Sequence, residues 1–456
     1  MFKNFPVILS SFLGDKVKIT CSVLIFLLVF IFSYWSCPDL LPKISPDGHG
    51  YISLSNDLTS KSASFRTFLY PSLIKFYKYC SVDNWKIILS LFQIIFHCTS
   101  TVIIFFIFDK CKIKLISNII CTLLIGFNPN LIYYSTYILA DNTLAFFTNI
   151  CLYILFRKNI LDSKSVILAS SFCSLASVTK PAALLLIIVV IFFLLFKRGF
   201  SRKTYRIIIF SIVINFSLPL AWEAYNYDNF SKSSMRKTDL ILGGINFNAI
   251  KGGLVGLGEG TQLYSILEEK QLIETAENLK IELSYTMDEH PDFLKIKEEL
   301  SNHWEVGVDN DFAFKVIRNA PLKIIFYSLS NWHSFFTKRM WAPSQGAFPG
   351  MPVFLKTFYV KFYSYLYRPF LLPLLVFSLF LLVYRKEYDF VIIFFSAIMY
   401  ASIIIAMLTP QGGEFPRYRV WVEYILWLCA LIPLGYGINY ILYHTKKLKE
   451  QIDKFF

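Results

Sequence analysis

Charge is what this chain has least of. Only 17% of its 456 residues are Asp, Glu, Lys or Arg, against 55% hydrophobic. Water-soluble domains carry about 25% charged residues, so a globular protein facing water on all sides is excluded. Internal repeats and low-complexity tracts are also missing. The stretch from Gly252 to Gly260 is rich in glycine, yet no Lys-Ser/Thr follows it, which excludes a nucleotide phosphate loop and leaves a flexible loop. Nine cysteines are scattered without metal-ligand spacing, mostly inside apolar runs where a thiol behaves as a small hydrophobe. Cys37 and Cys80 alone bracket a polar stretch, where an oxidising compartment would allow them to bridge.

What is present is apolar length. The mean hydropathy is +0.52 and 18% of residues are aromatic. A bilayer core of about 30 Å needs about 20 apolar residues at 1.5 Å rise each. Runs of that kind lie near 17–36, 85–108, 115–135, 138–156, 164–179, 181–197, 206–224, 368–384, 390–409 and 419–443. The expected fold class is therefore an all-α polytopic membrane protein with about ten transmembrane helices. The first run reads as an anchor rather than a cleaved signal, because Trp35-Ser36-Cys37-Pro38 lacks a small-x-small site.

A net charge of +14 raises nucleic acid as a partner, but the bases sit in short clusters between apolar runs rather than on one face. They report topology instead, and no nucleic-acid partner is expected. With Lys3, Lys16 and Lys18 inside, the clusters Lys110-Lys112-Lys114, Lys197-Arg198, Arg385-Lys386 and Lys446-Lys447 fall inside too. Two polar segments then face outward, at 37–84 and 225–367. The expected organisation is a membrane core over 1–225 containing the first outer loop, and an extracytoplasmic domain over 226–367. Membrane helices and a cytoplasmic tail over 368–456 complete it. The middle part reads as α-rich, with interfacial helices in Asn331 to Trp341 and Lys356 to Arg368.

Candidate chemistry collects on the outer side. Asp47 stands in Pro46-Asp47-Gly48-His49-Gly50-Tyr51, directly after the first span, where Pro and two Gly predict a loop that leaves the carboxylate turned toward a cleft. An amphipathic stretch follows, running to Arg66, Tyr70 and Pro71. Asp141 opens the fourth span, where the helix dipole stabilises an acid. It reads either as a simple cap or as a second carboxylate facing Asp47, the pair sharing a divalent metal such as magnesium or manganese, or an acceptor. No cofactor is required by the sequence. Lys180, Arg417 and Arg419 break the positive-inside pattern on this face and point to a bound anion, with phosphate the natural fit for such side chains. His49, Tyr51 and Tyr418 lie close in sequence as supporting groups, His49 as proton carrier or metal ligand.

These residues carry a resemblance. Asp47 with Tyr51, Arg66 with Tyr70-Pro71, Asp141, Thr179-Lys180-Pro181 and Pro416-Arg417-Tyr418 are similar, in order and placement, to the integral-membrane glycosyltransferases of the type C fold. The family 39-like branch, with the protein O-mannosyltransferases and the aminoarabinose transferase of lipid A, resembles the chain most. The likeness covers about 17–225 and 368–443. It departs at Asp141, where the family more often has Glu, and at Lys180, more often Arg.

The resemblance implies a hexosyl- or pentosyltransferase taking its sugar from a polyprenyl-phosphate donor. The acceptor would be a glycan, lipid or protein at the outer face, with inversion, and membrane lipids would surround the site. Asp47 would be the catalytic general base, and Arg66, Lys180, Arg417 and Arg419 would hold the lipid phosphate. Two other classes remain open: a surface-polysaccharide polymerase or ligase, and a transporter or lipid flippase. A transporter predicts charges at mid-membrane depth and paired repeats. Richness in Ile, Phe and Lys fits an AT-rich bacterial genome, so the expected location is a bacterial inner membrane, with the site on its periplasmic face.

Overall fold

The computed structural model describes residues 5–38, 40–58, 67–157, 162–230, 348–408 and 419–455, with scattered residues between 268 and 337. Among the described residues, thirteen α-helices of seven residues or more make up its frame. They are α1 (Phe5–Ser36), α2 (Pro46–Asn56), α3 (Leu69–Cys80), α4 (Trp85–Lys110), α5 (Leu115–Gly126), α6 (Pro129–Ser135) and α7 (Asp141–Arg157). After them come α8 (Ser163–Thr179), α9 (Ile187–Arg198), α10 (Arg202–Phe230), α11 (Val353–Tyr384), α12 (Ser396–Leu408) and α13 (Val420–Phe455). A 3-10 turn at Pro181–Ala183 precedes α9, and a π-helical turn at Val391–Phe395 precedes α12. No strand occurs among the described residues; the one extended contact is an isolated parallel bridge between Lys43 and Tyr137.

Among the described residues, six helices are long and apolar enough to cross a membrane, or up to eight if each bent pair is one span. The chain is an all-α polytopic membrane protein. Three expected spans differ in detail. The run at 115–135 is two helices, α5 and α6, bent by 49° at Asn128-Pro129. Asn128 caps α6 through its side chain and Pro129 takes the first helical position, which restarts rather than continues a helix. The expected 138–156 and 164–179 spans are α7 and α8 at 17 residues each, about 26 Å long and just short of a full crossing. The expected interfacial stretch Lys356 to Arg368 belongs to α11, whose arms Val353–Tyr365 and Phe370–Tyr384 meet at 49°.

Packing follows side-chain spacing. On α1, Ile25, Val29, Ser33 and Ser36 recur at intervals of three and four and are buried, while Leu24, Leu27, Leu28 and Ile31 are exposed on the other face. The buried stripe packs against Ile94, Cys98 and Phe105 of α4. In α10, exposed Ile209, Phe210, Val213 and Leu220 give the surface a lipid tail can cover. The opposite case is the start of α13, where every residue from Val420 to Ile432 is buried, the mark of a helix at the centre of a bundle. Helices α7 and α8 press small and polar faces together, with Cys151 Sγ and Cys173 Sγ 3.3 Å apart.

The chain separates into two compact units. One joins Met1–Trp222, Ala342–Met399 and Val420–Phe456; the other joins Glu223–Trp341 with Tyr400–Arg419. In the second, Trp332 Nε1 donates to Ser402 Oγ at 2.8 Å, and the buried Arg419 guanidinium donates to the Phe335 carbonyl at 2.5 Å. Arg66, Arg417, Tyr418, the loop from Gly252 to Gly260 and most of the expected 226–367 domain lie outside the described residues. Cys37 and Cys80 are thiols, and the bridge between them is not made.

Candidate active site

Asp47 sits in a helix, not in the expected loop. Ser45 caps α2, its side chain accepting from the Gly48 amide at 3.0 Å; Pro46 follows, and Asp47 occupies the first turn. Ser at the cap, Pro next and an acid after it are all helix-start signals, and they outweigh the two glycines. The carboxylate is half-buried and lies at the positive end of the helix. His49, two residues on, is exposed.

A short zip joins this helix start to the segment ahead of α7. The Lys43 amide donates to the Thr136 carbonyl at 2.9 Å, and the Ile138 amide donates to the Lys43 carbonyl at 3.0 Å. Gly48 continues the contact: a Cβ there would meet the Ile138 carbonyl oxygen at 2.9 Å, too close for any other residue without a backbone shift. From below, the Gln93 side chain on α4 donates to the carbonyls of Tyr137 at 2.9 Å and Leu139 at 3.2 Å. The Asn142 amide returns to the Gln93 carbonyl at 2.6 Å. Residues 94 positions apart in the chain are thereby held backbone to backbone, and the first turns of α2 and α7 share one floor.

Asp141 opens α7 as expected and is 2% exposed. It faces Lys180 Nζ at 2.5 Å, whose side chain is 16% exposed at the end of α8. This ion pair is the principal departure from the arrangement expected of the sequence, since the ammonium assigned to a phosphate lies on the acid assigned to Asp47 or a metal. Among the described residues no group of three or more His, Cys, Asp or Glu could hold a metal ion. Next to the pair, Thr67 donates to the Thr179 carbonyl at 2.8 Å, which docks the chain immediately after Arg66 against the end of α8.

Aromatic rings line the remaining side. Tyr51 and Tyr70 meet edge to face with centroids 5.0 Å apart, and Tyr70 is fully buried. Burial holds the Tyr70 phenol well above its usual range, with Tyr51 and the Asp141 charge adding to the shift. Tyr70 therefore stays neutral beside the acid. Burial also moves Tyr77 up to about 12. Lys43 lies over the faces of Tyr133 and Tyr137, at 5.2 and 6.0 Å from the ring centres. Burial lowers its pKa, with Lys356 adding to the effect and Cys37 opposing it.

Of the residues singled out from the sequence, Asp47, Tyr51, Tyr70, Asp141 and Lys180 are brought to one region, and Arg419 is placed within the second unit. Lys43, Gln93 and Asn142 are the additions that the sequence alone did not single out. Gln93 and Asn142 carried a signal, as polar side chains inside or opening apolar runs, where such groups need a reason.

The family model described as dolichyl-phosphate-mannose-protein mannosyltransferase matches residues 30–230. The match takes in the whole of α2 to α10, hence Asp47, Arg66, Tyr70, Asp141 and Lys180, and leaves Arg417, Tyr418 and Arg419 beyond it. A search of curated proteins gives no match. Over residues 30–230, under half of its length, the chain is thus similar to the dolichyl-phosphate-mannose-protein mannosyltransferase family.

Proposed function

We propose that this chain transfers a sugar from a polyprenyl-phosphate carrier to a hydroxyl or amine acceptor at the outer membrane face, with Asp47 as the general base. The observation that carries the reading is the Lys43/Tyr137 zip, which sets the first turn of α2 beside the segment leading into the Asp141–Lys180 pair. It supplies a half-buried carboxylate, a buried ion pair and a neutral tyrosine in one place, all within the matched segment.

In this mechanism Asp47 takes the acceptor proton as the acceptor atom attacks the anomeric carbon from the face opposite the carrier. The bond from that carbon to the phosphate oxygen breaks, and polyprenyl phosphate departs with the electron pair. Configuration inverts, and Asp47 later loses its proton to water. A carboxylate needs no unusual pKa for this, since at about 4 it is ionised at neutral pH. Charge growing on the leaving phosphate calls for cations. Arg66 is assigned that work, with Lys180 contributing less than a lone ammonium because Asp141 offsets its charge. Asp141 is then a holder of Lys180 before it is a metal ligand or a second base. The basic clusters favour the outer face for the site, out of reach of cytoplasmic nucleotide sugars.

The test is sugar release from a panel of radiolabelled polyprenyl-phosphate sugars by purified wild type and Asp47→Asn in nanodiscs. Turnover of one donor that depends on Asp47 is the expected result. Passage of lipid or sugar across liposomes with the donor intact would replace this reading by a carrier, and full activity of Asp47→Asn would require another base.

A further inference from the structure

A broken helix inside a membrane leaves the last carbonyls of one arm and the first amides of the next without helical partners, and no water is at hand to serve them. The α5–α6 elbow has this problem, and three other helices answer it. Tyr363 of α11 donates to the Leu124 carbonyl at 2.7 Å, and Tyr359 donates to the Phe127 carbonyl at 2.5 Å. His97 of α4 lies 2.9 Å from the Gly126 carbonyl through Nε2, and 2.6 Å from the Tyr424 hydroxyl of α13 through Nδ1.

The far side of the elbow is held by an acid that the transfer mechanism does not use. Glu423, in the first turn of α13, is fully buried. Its Oε1 accepts from Asn128 Nδ2 at 3.2 Å and from Trp427 Nε1 at 3.0 Å, and its Oε2 accepts from Asn130 Nδ2 at 3.4 Å. Asn128 is itself the cap of α6, accepting from the Asn130 amide at 2.9 Å. One carboxylate thus reaches both side chains that start α6. Helix α6 is only seven residues long, and the Lys43/Tyr137 zip begins directly beyond its end. So short a rod turns a change of angle at Asn128 into a displacement at Tyr137, and from there at Asp141 and against Asp47.

We propose that Glu423 is a positioning residue for sugar transfer, its buried carboxylate fixing the angle of the α5–α6 elbow and, through α6, the placement of Tyr137 to Asp141 beside the turn of Asp47. The inference rests on the transferase reading above. A filler of the same shape would occupy the space equally well. What the carboxylate adds is two acceptor oxygens on one rigid group, matched to amides two residues apart.

The experiment is steady-state transfer by wild type, Glu423→Asp, Glu423→Gln and the double variant N128D/E423Q in nanodiscs, with Tm measured on each. In N128D/E423Q the contact reappears with its polarity reversed, the glutamine amide donating to the new carboxylate, which still caps α6. A displacement of about 1 Å costs about 10²-fold in rate, so Glu423→Gln is expected to lose about ten- to a hundredfold in kcat with donor KM changed less than about twofold. N128D/E423Q recovers most of that loss, and Glu423→Asp falls between. A folded Glu423→Gln enzyme with wild-type kcat overturns the proposal, as does a double variant no better than the single. Spin labels at Lys43→Cys and Tyr137→Cys in a protein with its native cysteines replaced give a readout that needs no turnover. If wild type transfers no sugar, the transferase reading fails by itself. A label distance that broadens in Glu423→Gln then still supports control of the segment by the elbow, and an unchanged distance sinks it.

Discussion

Asp47 and Asp141 each stand in the first turn of a helix, yet their surroundings differ in nearly every respect. The first is half-buried behind a serine cap and a proline; the second is 2% exposed and paired with Lys180 at 2.5 Å. A shared position relative to the helix dipole therefore does not make a shared role. The sealed acid is engaged by the Lys180 ammonium, and in the proposed transfer it is the more accessible one that meets the acceptor proton.

Removing the Asp47 carboxylate puts the greatest strain on this contrast. Asp47→Asn keeps a first-turn residue compatible with α2, so transfer is expected to fall about 10²- to 10⁴-fold while Tm holds, read by donor turnover beside a melting curve. If activity survives and stability falls, the roles of the two acids are exchanged. Lys180→Met makes the converse test. It strands a buried carboxylate, and breaking such a pair costs about 3–5 kcal/mol, whereas D141N/K180M removes both charges and should regain most of that stability. Denaturation of the two proteins side by side gives the answer.

Gly48→Ala probes the joint between the two regions. The new methyl meets the Ile138 carbonyl at 2.9 Å, and the overpacked contact should cost about 1–3 kcal/mol with a fall in kcat as the zip slips. The smallest effect is expected at the far end of the bundle. Lys18 and Asp109 are 2.9 Å apart but 38% and 32% exposed, and Lys18→Met should shift stability by less than about 1 kcal/mol, leaving transfer intact. A loss as large as that of Lys180→Met would mean that burial is not what separates the two pairs.

How far the sequence alone leads depends on the range of the forces involved. The membrane class and the helix start at Asp141 were legible because they rest on local composition and caps. The start of α2 was written in Ser45-Pro46-Asp47 too, but Gly48 and Gly50 suggest a loop, and the reason for Gly48, a carbonyl from residue 138 pressed against it, lies far along the chain. Asn128-Pro129 likewise announces a new helix inside what reads as one continuous apolar run. The Asp141–Lys180 pair was not legible at all: both residues stand out, yet nothing local says that an acid and a base 39 positions apart will meet. Glu423 is hidden for the opposite reason, as one acid within a long apolar helix whose partners sit about 295 positions earlier.

The facing of α7 and α8 bears on how the protein is made. Each helix is 17 residues long, and the buried positions include Asp141, Asn142, Thr148 and Asn149 on one and Ser170, Ser174, Ser177 and Thr179 on the other. Ser170, Ser177 and Thr179 donate to carbonyls of their own helix, so what a helix threaded singly would carry past hydrocarbon is chiefly the Asp141 carboxylate and the Asn142 and Asn149 amides of α7. Released sideways from a translocation channel together, as a hairpin, each shields the polar side of the other, and Lys180 arrives already matched to Asp141. Insertion of this segment is then expected to be concerted, the two helices leaving the channel as a pair.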